Sequence, residues 1–319
     1  MQILIVGTGA LATLFAARLG AAGHVVSLLG TWQLGLRALG TSGARLLEAA
    51  GAQLTQVVKA TDDPQDSVGA RHAIVLVKAW QTERVARQLA VCLADDGVAL
   101  TLQNGLGNRE TLIQHLGPDR VAFGVTTTGA TLLGPGLARA GGDGTIALEH
   151  HPGVEPLADA FRSAGMRVEQ VADAAGLAWS KLVANAAINP LSAILQVTNG
   201  ELLQRPDARD LMAELASETA RVARACGVQL PFEDAIAHAE AVALQTASNR
   251  SSMFQDVRRG APTEIDAICG AIADLGRVKQ IPTPANRFCW KLVRALVADR
   301  RDAAIVSSIG DSYFGGTSG

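Results

Sequence analysis

Three polar residues on an otherwise apolar stretch carry the most pointed chemistry in this sequence. Lys181, Asn185 and Asn189 are spaced four apart, so on a helix they drift by only ~40° per step and line one face. One ammonium and two amides then converge on a single site. An ammonium so placed can stabilise negative charge on a carbonyl oxygen and deliver a proton. Amides can hold a substrate but cannot transfer protons. A solvated lysine with two amides is the commonplace alternative for any isolated Lys-x-x-x-Asn. Here, however, Leu182, Val183, Ala184, Ala186, Ala187 and Ile188 surround the three, and polar groups buried on such an element are costly without a use. Pro190 is expected to disrupt or end this helix after Asn189.

The second candidate is Gly7-Thr8-Gly9-Ala10-Leu11-Ala12. It directly follows an apolar strand and opens a helix, the context in which G-x-G-x-x-G/A binds a dinucleotide. Gly7 would make the tight turn, Gly9 would admit the pyrophosphate, and Ala12 would keep helix and strand close. The helix start then favours phosphate through its free N–H groups and dipole. An ordinary glycine turn is the alternative. The loop after the second strand, Leu29-Gly30-Thr31-Trp32-Gln33, has neither the acid that binds a ribose diol nor the arginine that accommodates a 2′-phosphate. A third candidate joins Ser251-Ser252-Met253-Phe254-Gln255-Asp256 to Thr263-Glu264-Ile265-Asp266. Taken alone, the serines could cap a helix and Glu264 could be a first-turn carboxylate.

These residues need elements to hold them. Gln2 to Val6 reads as a buried strand, Ala10 to Ala22 as a helix and His24 to Leu29 as the next strand, which makes one βαβ unit. Ala73 to Val77 and Val98 to Leu102 are further strands around a helix from about Thr82 to Leu93. Arg45 to Glu48 and Leu54 to Ala60 predict a hairpin around Gly51, and Val121 to Glu149 predicts more strands and turns. After Asp173 the sequence turns to Ala/Leu-rich amphipathic stretches: Arg209 to Cys226, Glu233 to Thr246, Glu264 to Leu275 and Ala285 to Ala298. The fold class expected is α/β, an N-terminal Rossmann-type dinucleotide-binding domain over residues 1–173 followed by an all-α substrate and catalytic domain over 174–319. Ser307 to Gly319 reads as a loose tail.

With these motifs in view, the chain resembles the ketopantoate reductase (2-dehydropantoate 2-reductase) family. The resemblance rests on Gly7-Thr8-Gly9-Ala10-Leu11, Lys78-Ala79-Trp80-Gln81, Gln103-Asn104-Gly105, Lys181-x-x-x-Asn185-x-x-x-Asn189-Pro190, Asn199-Gly200-Glu201 and the blocks Ser251 to Asp256 and Thr263 to Asp266. They occur in family order and cover nearly the whole chain. The resemblance implies NAD(P)H-dependent reduction of a small branched 2-oxo acid to the 2-hydroxy acid. It makes Lys181 the general acid and gives Glu264 a positioning role in the active site that extends to the cofactor. It implies that Asn185, Asn189, Asn199 and Ser252 hold the substrate, with Asn249 near enough to join them. Lys78 and Asn104 would lie near the cofactor, Asn104 where nicotinamide and substrate meet. Gly7, Thr8, Gly9, Ala10, Leu11, Ala12 and Thr31 complete the expected cofactor set.

Family members commonly have arginine at the position of Thr31. NADPH (NADP) is therefore expected, with NADH also accepted and a narrower preference than in relatives with that arginine. Thr31 and Gln33 are the candidate donors to the 2′-phosphate, with Arg37 the nearest basic residue downstream.

Composition narrows the remaining classes. A formal net charge of -2 and a pI near 6.3 provide no field for a nucleic acid. Cys92, Cys226, Cys269 and Cys289 stand singly, so neither a metal site nor a disulfide framework is expected. His150-His151 reads as a solvated loop. The apolar opening from Ile3 is broken by the Gly-Thr-Gly turn and no positive charge precedes it, so no leader or membrane span is expected, and the cytoplasm is the expected compartment. A homodimer is compatible with a helical domain of this kind, though no residue pattern marks an interface. Two rivals remain. A 3-hydroxyacid dehydrogenase would share the Lys-x-x-x-Asn helix, but the Thr263 to Asp266 block speaks against it. A silent dinucleotide sensor would have no reason to keep Lys181 and Glu264 with the asparagine set.

Overall fold

Ile3, Leu4, Ile5 and Val6 are all apolar, so the strand they form must be covered on both faces. The computed structural model describes residues 1–142 and 144–297, and the tail expected from Ser307 lies outside them. It divides into two compact units, Met1–Ala174 and a second from Ala175 onward.

The first unit runs β1 (Gln2–Val6), α1 (Ala10–Ala21), β2 (Val25–Leu29), α2 (Gln33–Ser42), β3 (Ala44–Leu47), β4 (Gln53–Gln56), β5 (Lys59–Thr61), β6 (Ala70–Val75), α3 (Thr82–Cys92) and β7 (Leu93–Thr101). It continues with α4 (Asn108–Leu116), β8 (Val121–Thr126), β9 (Ala130–Gly134), β10 (Leu137–Ala140), β11 (Thr145–Glu149), α5 (Glu155–Ser163) and β12 (Arg167–Val171). Eight strands form the main sheet in the order β12-β11-β8-β7-β6-β1-β2-β5. From β8 to β5 every pairing is parallel, and only β11 runs antiparallel to its neighbour β8.

Alternate residues of β1 serve opposite layers. Ile3 and Ile5 pack with Phe15, Leu28, Ile74 and Phe161, whereas Leu4 and Val6 pack with Val75, Val85, Leu89 and Leu112. The chain proceeds from β1 to β2 on one side and later from β6 to β7 on the other. The strand order therefore reverses at β1, which opens a crevice at the carboxyl ends of the strands.

The smaller sheet, β4-β3-β10-β9, revises the expected hairpin. β3 and β4 do pair antiparallel, Leu46 opposite Leu54. The stretch Leu54 to Ala60 is not one strand, however. Val57 is exposed and Val58 buried, and there the chain leaves the small sheet so that β5 can join β2 in the large one. The small sheet packs through Ala44, Leu46, Ala138 and Ala140 into the same core as Leu14, Ala16 and Ala17 of α1.

The second unit contains α6 (Ala174–Leu195), α7 (Asn199–Leu203), α8 (Pro206–Ala225), α9 (Ala235–Gln245), α10 (Ser252–Arg258), α11 (Ala271–Lys279) and a helix α12 over 284–297. Pro190 does not end α6, contrary to expectation: the helix continues to Leu195. The proline removes one backbone donor, but Leu191, Ser192 and Ala193 beyond it are buried. The Ser192 hydroxyl donates to the Asn189 carbonyl and meets Ser251 Oγ at 2.6 Å. Packing thus offsets the missing bond. The helix expected to start at Glu264 opens instead with a π-helical turn (Asp266–Gly270) before α11. Among the described residues no helix is long and apolar enough to cross a membrane.

Buried Glu218 of α8 shows how these helices are joined. Its carboxylate accepts from the backbone N–H of Ala285 and of Asn286, both at 2.9 Å, and from Asn286 Nδ2 at 2.9 Å. It therefore caps the start of α12. Glu218→Ala is expected to orphan these donors and lower stability by about 3 kcal/mol in urea unfolding. A loss below about 1 kcal/mol would show that the cap is not needed.

Candidate active site

Four of the expected cofactor positions follow parallel strands at their carboxyl ends: the Gly7 turn after β1, Thr31 after β2, Lys78 after β6 and Asn104 after β7. Gly7 has φ +134°, strained for any side chain, and a Cβ there would stand 3.1 Å from the Leu76 carbonyl oxygen. Its N–H donates to Leu29 O at 2.8 Å, which ties the turn to β2. Buried Thr8 fills the space above Gly30, whose own Cβ would come within 2.7 Å of the threonine methyl.

These residues suit a dinucleotide. Gly9 caps α1 in an extended conformation, no side chain caps the helix, and its first turn carries no acid. A Cβ built on Gly9 would meet nothing within 4 Å. The turn therefore presents uncapped amides at the positive end of a helix beside open space, the arrangement that receives a phosphate. Ala12, fully buried, sets α1 close against the sheet.

A polar network missed in the sequence steadies the loops after β6 and β7. Gln103 Nε2 donates to the Val77 carbonyl at 3.0 Å and to Thr82 Oγ1 at 2.9 Å. Thr82 Oγ1 donates to Asn108 Oδ1 at 2.7 Å, and Asn108 Nδ2 reaches back to the Asn104 carbonyl at 2.9 Å. The backbone of Asn104 is thereby fixed relative to the loop that carries Lys78. Gln103 belongs to the Gln103-Asn104-Gly105 motif, which was the one signal available for it. Thr82 and Asn108 had none.

In the second unit α6 carries Lys181, Asn185 and Asn189 on one face, as their spacing requires. Asn189 is buried, Lys181 and Asn185 partly so. His238 of α9 anchors the helix beside Lys181 through the Ser180 carbonyl, 3.1 Å from its Nε2, while its ring stacks on Phe232 at 4.1 Å.

Burial pulls the Lys181 ammonium down to about 8, opposed by the charge of nearby Glu264, itself buried. The structure thus couples the lysine electrostatically to this carboxylate, 83 residues further along the chain. Glu264 stands just before the π-helical turn, the wide kind of turn that often marks functional positions.

The remaining asparagines and serines differ in kind. Asn199 is buried, its Nδ2 donates to Thr246 Oγ1 at 2.9 Å and its backbone N–H to the Asn249 carbonyl at 2.9 Å, whereas its Oδ1 is buried without a partner. Asn249 and Ser252 are exposed. Ser251 rather than Ser252 caps α10, its Oγ accepting from Phe254 N at 3.0 Å. That leaves the Ser252 hydroxyl clear of capping duty. Among the described residues no three His, Cys, Asp or Glu side chains gather as a metal site.

Comparison with known proteins gives the following. The family description Ketopantoate reductase PanE/ApbA matches residues 3–153, and Ketopantoate reductase PanE/ApbA C terminal matches residues 173–297. The 2-dehydropantoate 2-reductase of Archaeoglobus fulgidus is 38% identical over 92% of this chain and 97% of its own length. That of Halobacterium salinarum is 33% identical over 94% of this chain and all of its own. Among solved structures, a PanE/ApbA family ketopantoate reductase from Ralstonia eutropha superposes with a TM-score of 0.88 at 34% identity, covering 94% of this chain and 100% of that one. A D-mandelate dehydrogenase with NADH and anilino(oxo)acetate has a TM-score of 0.87 at 27% identity over 94% of this chain and 100% of its own.

The space above Gly9 separates fold from ligand. Gly9→Ala is expected to change unfolding free energy by less than about 1 kcal/mol, because its backbone angles suit any residue. It should weaken NAD(P)H binding about tenfold or more, read from nicotinamide fluorescence. Unchanged binding would place the phosphates elsewhere.

Proposed function

The chain belongs to the ketopantoate reductase family, and we propose that it reduces 2-dehydropantoate, or a closely related branched 2-oxo acid, to the 2-hydroxy acid with NADPH as the preferred donor. The observation that carries this is the Lys181 ammonium, drawn down to about 8 by burial beside Glu264, on the same helix face as two amides. In this reading residues 1–173 bind the dinucleotide and residues 174–319 supply the substrate and acid groups.

Bound NAD(P)H supplies the hydride that reaches the C2 carbonyl. Negative charge then develops on the carbonyl oxygen, and Lys181 stabilises it and donates the proton. A lysine at its ordinary value would part with that proton less readily, so the shift brings the acid closer to working pH. Glu264 works against excessive loss of the charge and keeps the ammonium populated. Asn185, Asn189 and Ser252 donate to the substrate's carboxylate and hydroxyl, with exposed Asn249 beside them. Asn199 contributes its unpartnered Oδ1 as an acceptor. Asn104 and Lys78, held by the Gln103 network, position the nicotinamide end. The cytoplasm is the proposed compartment, since every reactant is a small soluble metabolite. A homodimer is the proposed assembly, checked by sedimentation velocity.

The reading is tested by NAD(P)H consumption with a panel of 2-oxo acids and, in the oxidative direction, by NAD(P)⁺ reduction with 3-hydroxy acids. Fastest turnover on ketopantoate supports it, and activity confined to 3-hydroxy acids would replace it with a 3-hydroxyacid dehydrogenase. Lys181→Ala is expected to lower kcat by roughly 10²–10⁴-fold while NAD(P)H still binds. Near-normal turnover would remove Lys181 from the chemistry.

The pH profile follows from the same shift. The acid must be protonated, so kcat/KM for reduction should be level below about pH 8 and fall tenfold per pH unit above it. Glu264 raises the lysine's value, so Glu264→Gln should move this break to lower pH. A break that stays in place would mean that Glu264 is not the counter-charge.

A further inference from the structure

The loop after β2 lacks the arginine that would grip a 2′-phosphate, yet a guanidinium stands there. Arg84, in the first turn of α3, donates from Nη1 to Thr31 Oγ1 at 2.6 Å. The residues are 53 apart in sequence, and α3 is held firmly, with Val85, Ala86 and Leu89 fully buried against the sheet. We propose that Arg84, reaching from α3 to Thr31, holds the 2′-phosphate of NADPH and so makes this chain selective for it.

Three observations support this. First, among the described residues no carboxylate pairs with Arg84. Its neighbour Glu83 is taken by Arg87 at 2.7 Å and His115 at 3.1 Å. Second, Arg84 is partly buried and its Nε is out of water with no partner. Burial alone holds the guanidinium below the ordinary arginine value. A partly desolvated cation facing a hydroxyl gains most from an anion with several acceptor oxygens, and a phosphate monoester is such a group.

Third, the donor expected from the sequence is otherwise engaged. Gln33 Nε2 donates to Asp62 Oδ2 at 2.7 Å, and Asp62 follows β5, the strand paired with β2. That carboxylate is the acid that the residues after β2 do not supply, but Gln33 already occupies it. Arg84 and Thr31 are thus a charged and a neutral donor still available at the end of β2, with exposed Arg37 a turn further along α2.

This rests on the dinucleotide reading of the Gly7 turn, and the test separates the two. NADP⁺ and NAD⁺ are titrated by calorimetry, without substrate, into the wild type, Arg84→Ala and Arg84→Lys. Arg84→Ala is expected to weaken NADP⁺ binding roughly ten- to hundred-fold, the worth of hydrogen bonds to a charged group, and to leave NAD⁺ within about twofold. Arg84→Lys should fall between, keeping the charge but losing the planar fork. Equal losses for both dinucleotides, or an unchanged NADP⁺ affinity, would overturn the assignment of Arg84. Failure of the wild type to bind either would overturn the dinucleotide site as well.

Discussion

Helix α1 has no solvent face of any size, and the nucleotide end of the molecule follows from that. Leu14, Phe15, Ala16, Ala17 and Leu19 are all fully buried, with the large sheet on one side and the small sheet on the other. A helix closed in this way cannot slide or tilt without opening voids in close-packed layers, which the interior resists. Its first turn is therefore held at one place over the carboxyl ends of β1 and β6. Gly7 and Gly9 let the backbone reach that place with no side chain in the way. The small sheet, an addition to the doubly wound plan, acts here as the outer wall that completes the burial of α1.

In the second unit two opposed influences meet at Lys181. Burial favours the neutral amine, and the carboxylate of Glu264 favours the ammonium. The outcome lies between the two, at about 8. The helices of this unit are tied together by α6 running unbroken past Pro190, the Ser192 and Ser251 hydroxyl contact, His238 on the Ser180 carbonyl, and the Glu218 cap that fastens α12 to α8.

Buried polar groups in both units are of two kinds. The Thr82, Gln103 and Asn108 network is satisfied internally and makes the ends of two strands rigid. Asn199 Oδ1 and Arg84 Nε are not satisfied internally. Groups satisfied within the protein cost little and hold shape, whereas groups left unsatisfied carry a desolvation cost that a ligand can relieve. Asn199 Oδ1 and Arg84 Nε are thus among the groups whose cost a ligand could relieve, whereas the Gln103 network needs none.

The sequence by itself determined the local features: alternating apolar strands, the Gly7-Thr8-Gly9 turn at a helix start, and Lys181, Asn185 and Asn189 on one helix face. These depend on steric limits and on periods of two and 3.6 residues, which act between near neighbours. Tertiary structure decided what separation along the chain conceals. It divided Leu54 to Ala60 between two sheets, carried α6 through Pro190 because buried residues beyond it repay the lost bond, set Glu264 against Lys181, and brought Arg84 to Thr31. No local pattern encodes such meetings, because each depends on how whole layers pack. The loop after β2 is the clearest instance. Its own residues lack a cation, and the packing of α3 against the sheet is what delivers one.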